Sequence, residues 1–195
     1  PNTDVEILKN LNFEIKKGDK IGIFGPSGIG KSTLFRLLLR FYDPNFGTIS
    51  FNHIDLKDLS FNEIYQRIGM LEQETYLFDD TIFNNIAIAK EGASLDEVKH
   101  AAEKAGIASL IDTLPEGYNT EMGQMASRLS GGEKQRIGIA RIMLACPDII
   151  VMDEPTSALD VFHEKELLHT LKTEYSDATW LIISHRMSTL TCCNR

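Results

Sequence analysis

The chain has 195 residues and a mass of 21.9 kDa, enough to bury a hydrophobic core as one large domain or as one domain with a subdomain. Hydrophobic residues make up 43% and charged residues 25%, which is typical of a folded globular protein and excludes an intrinsically disordered one. The net charge of −8 argues against a general nucleic-acid-binding protein, which would carry a basic patch.

Cysteine content and hydropathy indicate the cellular setting. Cys146, Cys192 and Cys193 lack the spacing of a metal site, and the adjacent pair would form only a strained disulfide, which favours a reducing, cytoplasmic setting. The first residues, PNTDVEILKN, lack the basic start and apolar stretch of a signal peptide. No apolar run reaches the roughly 18 residues that a membrane helix needs. We therefore expect a chain that does not itself cross a membrane.

In chain order, the first elements predict a strand–loop–helix unit. NLNFEI and KIGIF predict two strands separated by the turn KKGD, the second buried through Ile21, Ile23 and Phe24. The apolar spacing of STLFRLLLRF predicts a helix after the glycine-rich loop. Beyond the turn DPNFG, TISFN predicts a strand, SFNEIYQR a short helix, and IGML another buried strand.

The second half of the chain begins with a helical region. It runs from Thr81 to about Ala145 and includes a capping box formed by Ser94 and Glu97. DIIVM and TWLIIS predict strands inside a parallel sheet, with the amphipathic helix HEKELLHTLK between them. This alternation predicts an α/β fold: a parallel-sheet core from residues 1–73 and 146–195, and an inserted helical subdomain at residues 74–145.

The segment GPSGIGKST matches the phosphate-binding pattern G-x-x-x-x-G-K-[ST]. Its glycines let successive backbone N–H groups point at phosphate oxygens, and the following helix adds its positive end. Lys31 would reach the β- and γ-phosphates, and the Ser32 hydroxyl would ligate Mg²⁺. The alternative is a glycine-rich turn, but the position between a buried strand and an apolar helix favours a nucleoside triphosphate site. The predicted nucleotide-binding residues here are Gly25, Pro26, Ser27, Gly28, Ile29, Gly30, Lys31, Ser32 and Thr33.

Two adjacent carboxylates follow the predicted strand DIIVM. Asp153 lies at its carboxyl end, where parallel sheets bind ligands and where we expect it to lie next to the end of the strand that feeds the loop. It would hold Mg²⁺ directly or through water, and Glu154 would polarise the water that attacks the γ-phosphate. The alternative, an acidic turn before Pro155, loses weight because the chain also carries the phosphate loop.

The segment LSGGEKQR at residues 129–136 raises a separate question. Ser130 and Glu133 fit a capping box, which we expect to form. A capping box does not explain Gly131 and Gly132, which each cost up to about 1 kcal/mol relative to alanine in a helix. Bare backbone at a positive helix end is a second anion site, although the chain has only one nucleotide loop. We therefore expect this site to contact a nucleotide that is held by another copy in a head-to-tail, two-fold dimer.

These motifs, in this order, give the chain its resemblance to a known family. It resembles the nucleotide-binding domain of an ATP-binding cassette (ABC) transporter over essentially all 195 residues. The ordered motifs are the phosphate loop, Gln73 in IGMLEQETYLF, LSGGE, Asp153-Glu154, SALD at 157–160, and His185 in LIISHRMSTL. The resemblance implies a P-loop NTPase fold with a RecA-like parallel-sheet core, an inserted helical subdomain and a truncated antiparallel β edge.

The resemblance also implies roles for individual residues. Gln73 senses Mg²⁺ and couples to the membrane partner, while Glu154 is the general base and His185 contacts the γ-phosphate. Across the dimer, Ser130 and Gly132 meet the γ-phosphate, and Asp160 aligns the two halves. The remaining histidines are expected at the surface: His53, His100, His163 and His169.

Two further stretches resemble the exporter branch of the family. They are LFDDTIFNNI and LPEGYNTEMGQMASRLSGG, although TEMGQMA lacks the Glu-Arg pair usual in exporters. The aromatic residue on which adenine stacks would lie upstream of Pro1, and two further strands and a helix would follow Arg195. We therefore expect an excised domain of a longer transporter polypeptide.

The resulting functional prediction is an ATPase that drives export. ATP and Mg²⁺ would be its cofactors, transmembrane domains of the same transporter its partners, and the cytoplasmic face of the membrane its location. A second nucleotide-binding domain would complete the dimer, either a second copy or an unlike chain, and nucleic acid is not expected as a partner. The alternative is a soluble ABC-type ATPase that acts on nucleic acid or ribosomes. A GTPase is disfavoured because the sequence contains no N-K-x-D guanine motif, and a small-molecule kinase because it would have no use for LSGGE.

Overall fold

The computed structural model describes residues 7–26, 28–157 and 159–195. Its centre is a four-stranded parallel sheet in the order β1-β6-β5-β4. The strands of this sheet are β1 (Lys20–Ile23), β4 (Ile68–Leu71), β5 (Ile149–Asp153) and β6 (Thr179–Ile183). A separate antiparallel pair is formed by β2 (Ser50–Phe51) and β3 (Ile54–Asp55).

Helices cover both faces of the parallel sheet, because its inner strands are apolar on both sides. Ile150 and Met152 face one hydrophobic cluster, and Val151 between them faces another. The eight α-helices of the described residues are α1 (Lys31–Leu38), α2 (Phe61–Arg67), α3 (Ile82–Ala87), α4 (Leu95–Lys104), α5 (Ala108–Thr113), α6 (Gly131–Ala145), α7 (Val161–Glu174) and α8 (Met187–Leu190).

The helical region predicted at residues 74–145 contains α3 to α6. Its apolar side chains share one buried cluster with the sheet, which joins Ile82 and Ile86 of α3 and Val98 of α4 to Trp180 and Ile182 of β6. On the other face, Phe35 of α1 and Ile64 of α2 pack with Leu181. The helical region is therefore continuous with the core of the sheet.

The capping boxes predicted at Ser94 and Ser130 are confirmed, and Ser60 forms a third that was not predicted from the sequence. Ser60, Ser94 and Ser130 each cap a helix and accept a hydrogen bond from the backbone of a glutamate three residues later, whose carboxylate bonds back. The strand predicted at 68–71, the short α2 and the helix after the glycine-rich loop also form. The strand predicted at 179–184 forms over Thr179–Ile183.

Two predictions about the first strands are wrong. NLNFEI forms no strand, and its Leu11 and Phe13 are 52% and 49% exposed. Its alternating pattern suits a strand, but a strand needs a hydrogen-bonded neighbour, and the described residues provide none for this segment. Phe24, predicted to be buried, is 63% exposed because it follows Ile23, the last paired residue of β1.

Among the residues described, no helix combines the length and the apolar character that crossing a membrane requires.

Candidate functional site

Most of the predicted site residues meet at the carboxyl edge of the parallel sheet. Ile23 at the end of β1 pairs with Ile183 at the end of β6, which pairs with Asp153 at the end of β5. One residue earlier, Met152 pairs with Leu71 at the end of β4. The segments leaving this edge carry, strand by strand, the phosphate loop, His185, Glu154 and Gln73. The expectation that Asp153 lies directly beside the strand of the loop is corrected, because β6 lies between them.

The loop between β1 and α1 has the backbone of a phosphate cradle. Gly28 and Gly30 have φ angles of 80° and 106°, in the left-handed region that favours glycine. A Cβ atom at Gly30 would lie 2.6 Å from Ile7 Cγ2. Helix α1 begins at Lys31 with no side-chain cap and no acidic residue in its first turn. Its first N–H groups therefore have no side-chain acceptor, which is the condition for binding an anion there.

The Lys31 side chain folds back over this loop. Its Nζ donates hydrogen bonds of 2.7 Å to Gly25 O and 2.9 Å to Pro26 O. Ser32 and Thr33 follow in the first turn of α1, and Ile29 at the loop tip is 57% exposed. Ser27 lies outside the described residues. A phosphate in this loop would offer the Lys31 ammonium stronger, charged acceptors than the two carbonyl groups.

Glu154 and His185 lie against each other at the same edge, in a contact that is an ion pair only when the imidazole carries a proton. His185 Nε2 lies 3.0 Å from Glu154 Oε1, and the His185 backbone N–H donates to Glu154 Oε2 at 3.3 Å. Glu154 is only 9% exposed and has a φ of 49°, a conformation that is uncommon for a residue other than glycine. The backbone N–H of Glu154 donates to Ile183 O at 2.9 Å, so β6 holds both members of the pair in place.

Asp153 directly precedes Glu154, and Gln73 follows the neighbouring strand β4. Asp153 is the last residue of β5 and is half-buried, while Gln73 is exposed two residues beyond β4. Together with Ser32 they offer a carboxylate, an amide oxygen and a hydroxyl, which are the oxygen donors that Mg²⁺ prefers. The donor set therefore fits a magnesium ion that is also held by phosphate oxygens.

The LSGGE segment forms the amino end of α6. Ser130 Oγ accepts from Glu133 N at 3.3 Å, and Glu133 Oε2 accepts from Ser130 N at 2.7 Å. Gly131 is exposed, and a Cβ atom at Gly132 would lie 3.1 Å from Leu159 Cδ2. The capping box is confirmed, and packing against Leu159 accounts for part of the need for glycine at position 132.

Asp160 caps α7 with its own carboxylate. Its Oδ1 accepts from the backbone N–H groups of Phe162 and His163 at 2.9 Å and 3.0 Å, and its Oδ2 lies 2.8 Å from His163 Nδ1. Hydrogen bonds from the His163 backbone and ring keep the pKa of this carboxyl below its ordinary value. The side chain is thus held as an anion at the start of the helix. His53, His100, His163 and His169 are exposed, as predicted.

Two polar side chains at the site have no counterpart in the sequence prediction. Gln135 is 2% exposed and donates to Pro155 O, which ties α6 to the residue after Glu154. Glu164 is 4% exposed and bonds to the segment after His185. A polar residue among the apolar positions of a helix is the only sequence signal for Gln135, and Glu164 has none.

The parallel sheet carries a glycine-rich loop between β1 and α1, and two strands away β5 ends in an acidic residue. These features together define a P-loop nucleotide hydrolase. Within that class, residues 8–157 match the family model described as "ABC transporter". The chain belongs to the ABC transporter family and constitutes its ATP-hydrolysing domain.

The chain is similar to much longer proteins of this family. It is 46% identical to an "ATM1-type heavy metal exporter" of Novosphingobium aromaticivorans over 187 residues, covering 96% of this chain and 31% of that protein. It is 43% identical to a "Probable ABC transporter ATP-binding/permease protein" of Haemophilus influenzae, covering 97% of this chain and 34% of that protein. The chain spans about a third of the length of these relatives.

A solved structure has the same fold. It is titled "Structure of a bacterial Atm1-family ABC exporter with ATP bound". The two superpose with a TM-score of 0.92 and 44% sequence identity, covering 99% of this chain and 34% of the other.

Proposed function

We propose that the chain binds Mg-ATP at the carboxyl edge of its sheet and hydrolyses it to power export by an associated membrane domain. The observation that carries this proposal is the juxtaposition, on adjacent strand ends, of the phosphate loop, His185 and Glu154. The phosphate loop would supply N–H groups and the Lys31 ammonium to the β- and γ-phosphates. The division into a sheet core (1–73 and 146–195) and a helical subdomain (74–145) is part of this proposal.

Glu154 would orient and polarise the attacking water. Both of its oxygens face His185, at 3.0 Å from the ring and 3.3 Å from the backbone N–H, so the histidine fixes the direction of the carboxylate. With ATP bound, the same ring would also meet the γ-phosphate. Ser32, Gln73 and Asp153 would hold Mg²⁺, whose charge offsets the negative charge of the phosphates when it is bound.

The LSGGE segment would close over the nucleotide of a second copy. The backbone of Gly131 is exposed at the positive end of the 15-residue helix α6. Among the described residues no hydrogen bond joins this segment to the phosphate loop of the same chain. A two-fold dimer supplies the missing nucleotide, with Asp160 close to the contact, and an unlike ABC domain could replace the second copy.

An exposed aromatic surface beyond Gln73 would receive the membrane domain. Tyr76 is 67% and Phe78 44% exposed, and Phe78 borders an open groove of about 750 Å³. Arg141 of α6 donates to Tyr76 O at 2.9 Å and to Asn85 O at 2.7 Å. A force applied at the groove would thus reach α6, whose amino end carries LSGGE, through these hydrogen bonds.

In this proposal the chain would lie at the cytoplasmic face of a membrane, as one part of an exporter. The relatives are named as exporters or transporters with ATP-binding and permease parts. Their names give no support to the alternative, action on nucleic acid or ribosomes.

Sedimentation velocity of Glu154→Gln with and without Mg-ATP tests the proposal. Because the substituted chain would bind ATP but hydrolyse it about a hundredfold or more slowly, we expect a stable dimer only when ATP is present. Adding Ser130→Ala should abolish that dimer, since the serine would lose its contact with the partner's nucleotide.

Ser94→Ala is the matched control, because Ser94 forms the same capping box at the start of α4. Each serine substitution should cost about 1 kcal/mol of stability through the lost cap, but only Ser130→Ala should prevent dimerisation. Equal dimerisation of the two variants would mean that Ser130 only caps its helix. Absence of ATP binding to the wild-type chain would overturn the proposal as a whole.

A further inference from the structure

A second carboxylate beside the site is buried and takes no part in the chemistry described above. Glu164 lies one turn into α7 and is 4% exposed. Carboxylates are almost never buried to this extent without partners, because loss of hydration is costly. Its partners therefore indicate what the side chain holds.

Those partners all belong to the segment that follows His185. Ser188 Oγ and Thr189 Oγ1 each donate to Glu164 Oε1 at 2.8 Å, and Arg186 Nη1 donates to Oε2 at 3.3 Å. Thr189 Oγ1 is also 2.8 Å from Thr156 Oγ1, two residues beyond Glu154. One carboxylate thus accepts hydrogen bonds from three side chains in and just before α8.

Arg186 carries the connection on to the SALD segment. Its Nη1 also donates to Leu159 O at 3.1 Å, and its Nη2 donates to Ser157 O at 3.4 Å. Leu159 and Ser157 precede Asp160, the cap of α7. Arg186, which directly follows His185, therefore links the His185 segment to the residues just before Asp160. Glu164 holds Arg186 in that position.

We propose that Glu164 is a positioning residue that makes the SALD segment and the His185 segment move as one unit. The proposal rests on the roles given above to Asp160 and His185. When a second chain presses on Asp160, the displacement reaches His185 through Leu159 O, the Arg186 guanidinium and the Glu164 carboxylate. The His185 ring then meets the γ-phosphate, while still contacting Glu154, only when the dimer has closed.

A purely stabilising ion pair is the competing explanation. Buried ion pairs are weak contributors to stability, and replacement by apolar residues is often neutral. Two hydroxyl groups and a guanidinium converging on one carboxylate instead fix the relative position of two loops. The two explanations differ in what they predict for motion at the SALD segment. The Glu164 backbone N–H donates to Asp160 O of that segment at 2.9 Å, whereas the Glu164 carboxylate is linked to Leu159 and Ser157 through Arg186.

Amide hydrogen exchange of the full chain without nucleotide distinguishes them, with Glu164→Gln as the variant. The neutral side chain cannot serve as a charged acceptor, so we expect exchange to accelerate about tenfold in peptides covering residues 157–160 and 185–189 alike. Glu166→Gln is the matched control, because it lies on the same helix and pairs with Arg136 at 2.9 Å. It should leave both peptides unchanged.

Steady-state ATP hydrolysis is the second measurement. The kcat for ATP should fall about tenfold or more in Glu164→Gln while KM changes less than about twofold, since positioning and not nucleotide binding is lost. Ser188→Ala guards against a folding defect, because Ser188 is exposed and its loss removes one donor only. It should produce the same pattern at smaller amplitude.

Faster exchange at residues 185–189 without any change at 157–160 would overturn the proposal, as would a parallel loss of kcat and ATP affinity. The exchange experiment needs no nucleotide, so its result stands apart from the proposed function. A wild-type chain that fails to hydrolyse ATP would contradict that function. Exchange that changes in only one of the two segments would contradict the positioning role of Glu164.

Discussion

At the scale of single residues, the two neighbouring thiols near the end of the described chain differ in their chemistry. Cys192 and Cys193 are both half-buried, and the Cys192 thiol donates to Thr189 O at 2.9 Å. A hydrogen bond from Cys193 to the Cys192 sulfur, with Lys172 and Lys20 nearby, lowers the pKa of Cys192 to about 7. The same arrangement raises the pKa of Cys193 well above its ordinary value. Only the thiolate form is nucleophilic.

Alkylation by iodoacetamide should therefore select Cys192. We expect its rate to rise through a midpoint near the pKa of about 7, with little reaction at Cys193. Cys193→Ala removes the hydrogen-bond donor and should move the midpoint of Cys192 up to about 8.5, the ordinary value for a thiol. Peptide mass spectrometry at several pH values measures both rates. Equal reaction of the two sulfurs, or a wild-type midpoint near 9, would contradict this assignment.

The positions of single site residues were predictable where they depended on neighbours in sequence. Lys31, Asp153 and Glu154 were assigned from motifs whose geometry is local. The contact between Glu154 and His185 and the network around Glu164 depend on the pairing of β5 with β6 and on the packing of α7 against α8. A glutamate inside a helix such as HEKELLHTLK has the sequence appearance of a solvated residue, so its burial could not be predicted.

At the scale of elements, the helices differ in whether a side chain caps their amino ends. Helices α2, α4 and α6 begin with the same serine–glutamate capping box, whereas α1 has no side-chain cap. The capped helices satisfy their own first N–H groups. Helix α1 lacks a side-chain cap, as the short α5 and α8 do, but α1 alone of these three follows the glycine-rich loop, where its first N–H groups are left for a ligand. Helix α6 is capped and still has a bare glycine first turn, which sets it apart from α2 and α4.

The capping box of α4 should make stability depend on pH. A hydrogen bond from Lys90, then those from Ser94, lower the pKa of Glu97 to about 2. Because the folded pKa is depressed, the contribution of Glu97 is present above its unfolded value of about 4.5 and is lost as pH falls toward 2. Urea unfolding of wild type and Glu97→Gln should therefore differ at about pH 7, with the gap closing as pH falls to about 3.

Glu91→Gln provides the comparison for this experiment, because Glu91 is also exposed and lies in the loop before α4. Its stability relative to wild type should vary little over the same pH range. A gap between wild type and Glu97→Gln that stays constant down to about pH 3 would show that the ionised carboxylate is not what stabilises α4.

Elements with strong local signals were predicted correctly and those that depend on partners were not. The strand–loop–helix unit, the capped helices and the apolar strands β4 to β6 all form where the pattern placed them. NLNFEI has an equally good strand pattern, yet hydrogen-bonded pairing decides whether a strand exists. The strand order, with β6 inserted between β1 and β5, is likewise a property of tertiary structure.

At the scale of the whole molecule, the nucleotide site and the hydrophobic core are connected. The apolar cluster that contains Ile150 and Met152 of β5 extends to Ile82, Val98 and Ile137 of the helical region. Unfolding of the sheet therefore removes the support of the helices, and we expect the two regions to unfold together. A ligand bound at the sheet edge then stabilises the entire described chain.

ATP should consequently raise the melting temperature, and Lys31 should be required for the increase. ATP at about a hundred times its dissociation constant adds about 2.7 kcal/mol to the free energy of unfolding. For a chain of this size, that free energy corresponds to a rise of roughly 5–10 °C. Lys31→Met removes the cation that reaches the phosphates, so its melting temperature should rise by less than about 2 °C. Differential scanning calorimetry with and without Mg-ATP measures both shifts.

The variant should be close to wild type without nucleotide, because Lys31 then donates only to Gly25 O and Pro26 O at an open loop. Each such hydrogen bond contributes about 1 kcal/mol or less. Lys57→Met, at an exposed lysine in the short 3₁₀ helix after β3, should keep the full response to ATP. If Lys31→Met melted several degrees lower without ATP but kept the ATP-induced rise, the lysine would serve to stabilise the free loop. The phosphates would then be held by the backbone N–H groups of the loop and α1.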